Sequence, residues 1–197
     1  MSLEVHPLTP DRWDDLVVLF DRPGDARGCW CMWWHVRASE FDRLYGQGAR
    51  TAFQQIVLAG PPPGLLAYRG ARPVGWCAVA PREQFPRILP SPVLRPVDDQ
   101  PACWAVVCFY VEKAERGGGV ATALLDAVVE FAAAGGAEAV EGYPKDTGGG
   151  RRRANELFVG STAMFRRAGF REVGRRSPTR PIMRRAIGGR GGRAGSR

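Results

Sequence analysis

The stretch that decides the fold is CWAVVCFYVEKAERGGGVATALLDAVVEFAAA, residues 103–134. Its first nine residues are rich in β-branched and aromatic side chains, which predicts a strand. Residues 120–134 place apolar side chains at helical spacing, which predicts a helix. The three glycines at 117–119 allow a sharp turn between the two elements. Because residues 139–143 predict a further strand, we expect residues 103–143 to form a βαβ unit.

The glycine-rich turn suits an anion such as a phosphate group. Its glycines leave backbone amides uncovered, and a helix that begins at Val120 directs the positive end of its dipole at them. No acidic residue lies between Arg116 and Leu125, although acidic residues are favoured in first turns. A P-loop fits poorly because this turn contains no lysine, and a dinucleotide fingerprint fits poorly because Thr122 stands where a glycine or another small residue is needed. A plain strand-to-helix turn stays the alternative interpretation.

The rest of the chain predicts an α+β order, β-α-α-β-β-β-α-β-α-β-β. Six prolines in residues 81–101 predict a surface excursion, and the glycines and arginines of 144–154 predict a mobile loop. We expect one domain over residues 1–187 and a disordered Gly/Arg tail over 188–197. The remaining elements are predicted as strand 3–8, helix 9–20, helix 48–58, strands 65–68 and 74–79, a helix from 161, and strands 170–173 and 181–185.

Two motifs carry a resemblance to a known family. Arg116-x-x-Gly119-x-Ala121 has the form Q/R-x-x-G-x-G/A, and the surrounding region resembles the cofactor motif of the GNAT N-acetyltransferase superfamily. Residues 161–173, with Gly169-Phe170, are similar to the family's later helix–strand motif. The resemblance implies an α+β, single-domain GNAT-like fold. Its mixed, mostly antiparallel central sheet would have about seven strands, splayed at the cofactor cleft and flanked by about four helices.

The resemblance also implies acetyl-CoA as the co-substrate. Its pyrophosphate would lie on the amides of residues 117–122. Its pantetheine would hydrogen-bond to the free edge of the strand that ends at Val111, where that strand splays from the one ending at Tyr143. Phe165 would pack near the thioester. The cofactor-binding residues expected on this basis are Phe109, Tyr110, Val111, Arg116, Gly117, Gly118, Gly119, Val120, Ala121, Thr122, Ser161 and Phe165.

The activity that the resemblance implies is acetyl transfer to a primary amine. The amine of a small molecule or peptide would attack acetyl-CoA directly in a ternary complex, with no covalent enzyme intermediate and no metal. A homodimer is compatible with this expectation. A non-catalytic acyl-CoA-binding or regulatory module is the alternative, because Phe165 stands where many family members have a tyrosine that protonates the departing thiolate.

Three residues are expected to handle protons: Glu141, Tyr143 and Glu112. Ser161 or Tyr143 could replace the missing tyrosine, or the thiolate leaves unassisted, since a thiol pKa near ~8.5 makes it a tolerable leaving group. The usual asparagine before this helix is also absent, and Phe158 stands there. An amine must lose a proton before it attacks, which requires a carboxylate facing the cleft, directly or through a water molecule. Glu141 is preferred and Glu112 is second, with a solvated glutamate at a strand end as the alternative for Glu141.

An aromatic segment, residues 29–35, precedes the second predicted helix. Cys29, Cys31 and His35 lack a fourth ligand at convincing spacing, so no metal is expected. In the family the connection between the first two helices lines the acceptor side of the cleft. Trp30 and Trp33 are therefore expected to contact the acceptor, with core packing between the helices as the alternative.

Composition restricts the class of protein. The formal charge is +8, but arginine plus lysine and aspartate plus glutamate balance over residues 1–170, and nine arginines against Glu172 in 171–197 supply the excess. A nucleic-acid partner is therefore not favoured. No apolar run reaches the ~18–20 residues of a membrane span, and the start resembles no signal peptide. Five cysteines without an export signal are expected to stay reduced, which indicates a soluble cytoplasmic protein with no membrane partner.

Overall fold

A single mixed sheet of seven strands organises the computed structural model, which describes residues 2–21, 26–148 and 158–188. The strand order is β1-β2-β3-β4-β5-β7-β6. The β4–β5 pair is parallel, and every other neighbouring pair is antiparallel. The strands are β1 (Leu3–Pro7), β2 (Gly64–Arg69), β3 (Arg72–Pro81), β4 (Cys103–Val111), β5 (Ala139–Gly142), β6 (Arg171–Arg175) and β7 (Pro181–Ala186). The sheet confirms the predicted α+β class and strand number.

Seven helices lie in the described part of the chain, not about four as predicted. They are α1 (Trp13–Phe20), α2 (Ala26–Cys29), α3 (Met32–His35), α4 (Ala38–Leu44), α5 (Gln47–Ala59), α6 (Val120–Ala134) and α7 (Thr162–Arg167). The difference arises in the aromatic segment, which forms several short helices. Trp30 and Cys31 take left-handed backbone angles, φ 45° and 57°, and Val36 is extended. These three residues interrupt the helical path because neither conformation continues an α-helix.

The sheet is covered on both faces, and β4 contributes alternate side chains to each. Ala105 and Val107 face the cluster built with α1–α5, while Trp104 and Val106 face the cluster built with α6 and α7. The proline-rich excursion is more than a surface loop, because Phe85 and Ile88 within it are fully buried in the α1–α5 cluster. Burial of two large apolar side chains ties this segment to the domain.

The cleft between β4 and β5 opens as predicted. The two strands pair only from Cys103 opposite Ala139 to Val106 opposite Gly142. Just beyond that point β4 carries a register shift against β3, since Ala78 faces Cys108 while Val79 faces Val106. A β-bulge bends its strand, and β4 continues to Val111 without β5 beside it.

Two expectations fall on residues outside the described ranges. The tail prediction concerns 188–197, of which only Gly188 is described, and residues 149–154 of the predicted mobile loop are likewise outside. The extent of the domain, 1–187, stays a prediction. Within the described ranges, no helix is both long and apolar enough to cross a bilayer.

Candidate active site

The glycine turn lies at the head of α6, beside the end of β4. Gly117 and Gly119 have φ values of 81° and 84°, a region that suits only glycine without strain. Gly119 is the N-cap residue of α6 and offers no side-chain cap, and the first turn of the helix holds no acidic residue. The first N–H groups of α6 therefore have no carboxylate from their own helix as a partner, as an anion site requires.

An ion-pair network fixes this turn to the β2–β3 hairpin. Arg69 Nε donates to Glu115 Oε2 over 2.7 Å, and Arg72 bridges Glu112 and Glu115. The two arginines hold the pKa of Glu115 below its ordinary value, the bond from Arg69 being the largest cause. Glu112 thus serves as an anchor of the turn, and this contact counts against its predicted role as a base, which stays a prediction.

The free edge of β4 has partners from this chain itself. The Phe109 N–H donates to the Phe158 carbonyl over 2.5 Å, and Arg116 Nε donates to the Val111 carbonyl over 3.0 Å. Phe158 reaches this edge because the following residues pair in parallel with the chain after β5, where Lys145 faces Ser161. The expected pantetheine contacts with 109–111 stay predictions, and two of the polar groups involved would have to change partner.

Glu141 lies on β5 and is fully buried within a polar cluster. Its Oε2 accepts from Arg82 Nη1 at 3.2 Å and from the Tyr143 hydroxyl at 3.1 Å. Its Oε1 accepts from Nε and Nη2 of Arg184, at 3.0 and 2.6 Å. A carboxylate offers about four acceptor positions, and here all four are filled. The predicted role of Glu141 as base stays a prediction, and this saturation counts against it.

Tyr143 is also buried, and its hydroxyl donates to Glu141. Burial, reinforced by the neighbouring Glu141 charge, raises the pKa of Tyr143 well above its ordinary value. The phenol is therefore protonated at neutral pH, as a proton donor must be. Among the described residues, the only hydrogen bond of this hydroxyl directs its proton at the Glu141 carboxylate. The role of Tyr143 as an acid stays a prediction.

The α7 residues of the second motif are structural parts of the core. Ser161 is the N-cap of α7, and its Oγ accepts from the Met164 N–H at 3.3 Å. Phe165 is fully buried, with its ring 6.2 Å from that of Phe109 and 5.0 Å from that of Phe170. Phe165 thus packs in the core against Phe109, on the part of β4 that has no β5 beside it. Contact of either residue with a cofactor stays a prediction.

The two tryptophans expected on the acceptor side lie in different surroundings. Trp30 is buried against Trp13 and Phe20, with ring centroids at 5.6 and 5.3 Å, and it lines a cavity. Trp33 is exposed, and the Arg87 guanidinium lies 3.7 Å from its ring centroid. Of the two, Trp30 is among the described residues that line this cavity and Trp33 is not, and acceptor contact stays a prediction for both.

Two arginines of the buried cluster were not predicted. Arg82 lies in a 3-10 turn after β3, in the proline-rich excursion, and Arg184 lies on β7 opposite Glu141. No local pattern marks Arg82, because its partner is distant in sequence. Alternation along β7 could have placed Arg184 on the same face as Glu141, had the strand order been known.

The described residues include no group of three or more His, Cys, Asp or Glu side chains that could hold a metal ion. All five cysteines lie in the described ranges and are free thiols.

A seven-stranded sheet that splays beside an uncapped glycine turn defines a class of protein. A family model described as Acetyltransferase (GNAT) family matches residues 30–158, more than half of the chain. The chain therefore belongs to the GNAT acetyltransferase family and to the acyltransferase class of enzymes, which confirms the resemblance. No curated protein matches the chain.

Solved structures share the fold at low sequence identity. The yncA protein of Salmonella typhimurium, solved with its cofactor acetyl-CoA, is 12% identical with a TM-score of 0.55 and 95% of each chain covered. The PaiA N-acetyltransferase of Thermoplasma acidophilum, in complex with coenzyme A, is 11% identical with a TM-score of 0.51, covering 94% of this chain and 99% of that one. A GNAT acetyltransferase of Streptococcus pneumoniae is 14% identical with a TM-score of 0.53, covering 95% and 100%.

Proposed function

We propose that this protein is an N-acetyltransferase that moves an acetyl group from acetyl-CoA to a primary amine of a small molecule or peptide. The amine would attack directly in a ternary complex. The observation that carries the proposal is the uncapped, acid-free start of α6 beside the splayed edge of β4. Membership of the GNAT family supports it, as does the presence of CoA or acetyl-CoA in two structures of the same fold.

The proposal assigns a role to each part of the site. The pyrophosphate would accept hydrogen bonds from the amides of residues 117–122, with Arg116 nearby, and the pantetheine would follow β4 past Val111 and Tyr110. The Phe109 N–H would polarise the thioester carbonyl after releasing the Phe158 carbonyl. Alignment of the amine with the thioester and the fixed orientation of the Phe109 N–H would supply most of the rate enhancement.

Acetyl transfer also requires proton transfer. The amine would lose its proton to a carboxylate or to water, and the predicted carboxylates are Glu141 and Glu112. Tyr143 and Ser161 are the hydroxyl groups proposed to assist the departing thiolate. The thiolate would also leave without a donor, because its pKa near ~8.5 makes it a stable product.

A Thr122→Glu variant tests the cofactor site. Thr122 is the third residue of α6, where a glutamate complements the helix dipole and so maintains stability. The added charge would repel the pyrophosphate, and we expect acetyl-CoA to bind at least tenfold more weakly by calorimetry while the melting temperature is unchanged or raised. Ala133→Glu, exposed near the other end of α6, is the control and is expected to bind like the wild type. Equal affinity in Thr122→Glu and the wild type would reject the proposed site.

Two observations favour a non-catalytic acyl-CoA-binding module as a second candidate. The Phe109 N–H already has a partner, and Phe165 offers no proton. Release of free CoA thiol with a panel of amines separates the two functions. Thiol release above the acceptor-free rate identifies a transferase, whereas tight binding with no release for any amine identifies the module.

A further inference from the structure

A cavity of about 420 Å³ lies between the end of α1, helix α2 and the start of α5. Its size is within the roughly 300–1,000 Å³ of small-molecule sites. None of the residues that line it belongs to the glycine turn, to β4 or to β5. The cavity is therefore separate from the proposed cofactor site.

Among the described residues, the charged side chains that line this cavity are Asp21, Arg27 and Arg50. Guanidinium groups stay protonated at all physiological pH values, so these three side chains together carry one net positive charge when Asp21 is ionised. Two planar guanidinium groups against one carboxylate favour a ligand with an oxyanion.

Within the part of the chain that the structure describes, both arginines have N–H donors without a hydrogen-bond partner. Arg50 Nη1 lies 3.8 Å from Asp21 Oδ2, within ion-pair range but too far for a hydrogen bond, and its guanidinium lies 5.3 Å from the centroid of the Trp30 ring. Across the described ranges, Arg27 makes no hydrogen bond or ion pair. A ligand oxyanion would meet two arginines with N–H groups that are not committed to any residue in the described ranges.

One wall of the cavity is preformed. A side chain at Gly28 would overlap the Tyr45 ring, so the phenol lies directly against the backbone of α2. The Gly46 N–H donates to the Gly28 carbonyl over 2.8 Å, which links α2 to the start of α5. A wall fixed before binding reduces the ordering cost of a ligand.

We propose that this cavity binds the oxyanion of a small molecule, a carboxylate or phosphate group, held by Arg27 and Arg50. Two sources share that chemistry. Phe20 contacts both the Trp30 ring at 5.3 Å and the Tyr110 ring of β4 at 5.6 Å, so one ring separates the cavity wall from the cofactor strand. The oxyanion therefore belongs either to an acceptor amine, which rests on the proposed function, or to a separate effector that changes turnover.

Calorimetry of the full chain with succinate tests the site, in the presence of saturating CoA so that the glycine turn is filled. Succinamide is the neutral probe of the same shape. We expect binding of succinate and none of succinamide, and about tenfold weaker binding in Arg27→Gln and in Arg50→Gln, since each removes a charge-assisted hydrogen bond. Arg43→Gln, exposed on α4 and outside the cavity, makes the same charge change and is expected to bind like the wild type.

Absence of binding at millimolar succinate, equal binding of succinamide, or equal loss in Arg43→Gln would overturn the proposal.

Measurements of turnover then show whether the oxyanion belongs to the acceptor or to an effector. If 4-aminobutyrate is acetylated and Arg50→Gln raises its KM but not that of 4-aminobutanamide, the oxyanion is part of the acceptor. If succinate changes kcat/KM for 4-aminobutanamide in the wild type only, it is an effector. A protein that binds succinate but never releases CoA thiol would reject the proposed function and leave this site standing.

Discussion

At the scale of single residues, Glu141 shows how a buried carboxylate is stabilised. Removing an ion from water is costly, and the cost is offset only when the geometry satisfies every lone pair. Arg82, Arg184 and Tyr143 together do so, and Arg184 extends the cluster to Asp98 at the surface through Nη1 at 2.9 Å. The cluster links β5 and β7 to the proline-rich excursion, which contributes Arg82 and Asp98. We interpret Glu141 as a residue that positions Tyr143 and Arg184.

Glu141→Gln separates this role from that of a base. Loss of the charge leaves the buried Arg82 guanidinium without its carboxylate partner, while Arg184 keeps Asp98, and breaking such a buried pair costs about 3–5 kcal/mol of stability. We expect a lower melting temperature and an unchanged pH profile of kcat/KM. A loss of kcat/KM by orders of magnitude together with loss of the acidic limb of the profile would instead make Glu141 the base. Glu138→Gln, exposed just before β5, is the control for both measurements.

The sequence predicted the position of Glu141 but not its buried partners. The spacing after α6 placed it at the end of a strand beside the cleft. Its partners lie 59 and 43 residues away, in a segment without periodicity and on the last strand. The difference between a solvated and a saturated carboxylate depends on those long-range pairs, which no local pattern encodes.

At the scale of elements, β5 and α7 pack closely because Gly142 on β5 has no side chain. A methyl group built at Gly142 would overlap the Phe165 ring, so the ring packs directly on the backbone at the last residue of β5. The pairing of β4 with β5 ends at the same residue. The Phe165 ring therefore fills the space where the two strands begin to separate.

Paired alanine substitutions test this fit. Gly142→Ala overpacks the core, and we expect a loss of about 1–3 kcal/mol in the free energy of unfolding by denaturant titration. Gly48→Ala, inside α5 with only ordinary contacts around the new methyl group, is expected to gain about 0.5–1 kcal/mol because alanine favours helix. The fit between Gly142 and Phe165 would be refuted if both variants shifted stability in the same direction.

The elements that sequence could predict are those with their own periodicity and clear ends. Helix α6 was predicted at its observed bounds, because its apolar repeat stands between glycines. The segment 26–44 was not, because its breaks depend on left-handed Trp30 and Cys31. Such angles in residues other than glycine persist only when tertiary packing enforces them.

At the scale of the whole molecule, the excess positive charge is partly internal. Several arginines of the C-terminal strands connect parts of the fold rather than form a free basic patch. Their partners are Asp146 and Glu172 for Arg175, Glu141 and Asp98 for Arg184, the carbonyls of Arg95 and Pro96 for Arg176, and the Ala168 carbonyl for Arg185. The pKa values of Asp98, Asp146 and Glu172 are lowered by these bonds, with a backbone bond the larger cause at Asp146.

Stability is expected to fall in two steps on acidification. Burial between Phe53 and Phe85 lowers the pKa of His35 to about 4, so the unfolded chain binds a proton first and stability falls from about pH 6.5 to pH 4. The carboxylates with lowered pKa produce a second fall below about pH 4. His35→Phe keeps the ring and removes the first step, on the order of 3 kcal/mol, in chemical unfolding measured across this range.

The same substitution at partly exposed His6 is the control and is expected to leave the first step in place. Persistence of the first step in His35→Phe would show that another group titrates there.

The bond between the Phe109 N–H and the Phe158 carbonyl has a thermodynamic consequence under the proposed function. Acetyl-CoA would replace one partner of this N–H by another, so the number of hydrogen bonds is conserved and the net gain at this position is small. Affinity must then come mainly from the phosphate end, while the donor is already oriented before the substrate arrives. The Phe158 carbonyl competes with the cofactor for this N–H. Because both groups belong to one chain, the effective concentration of the carbonyl is set by the covalent connection and does not depend on the solution.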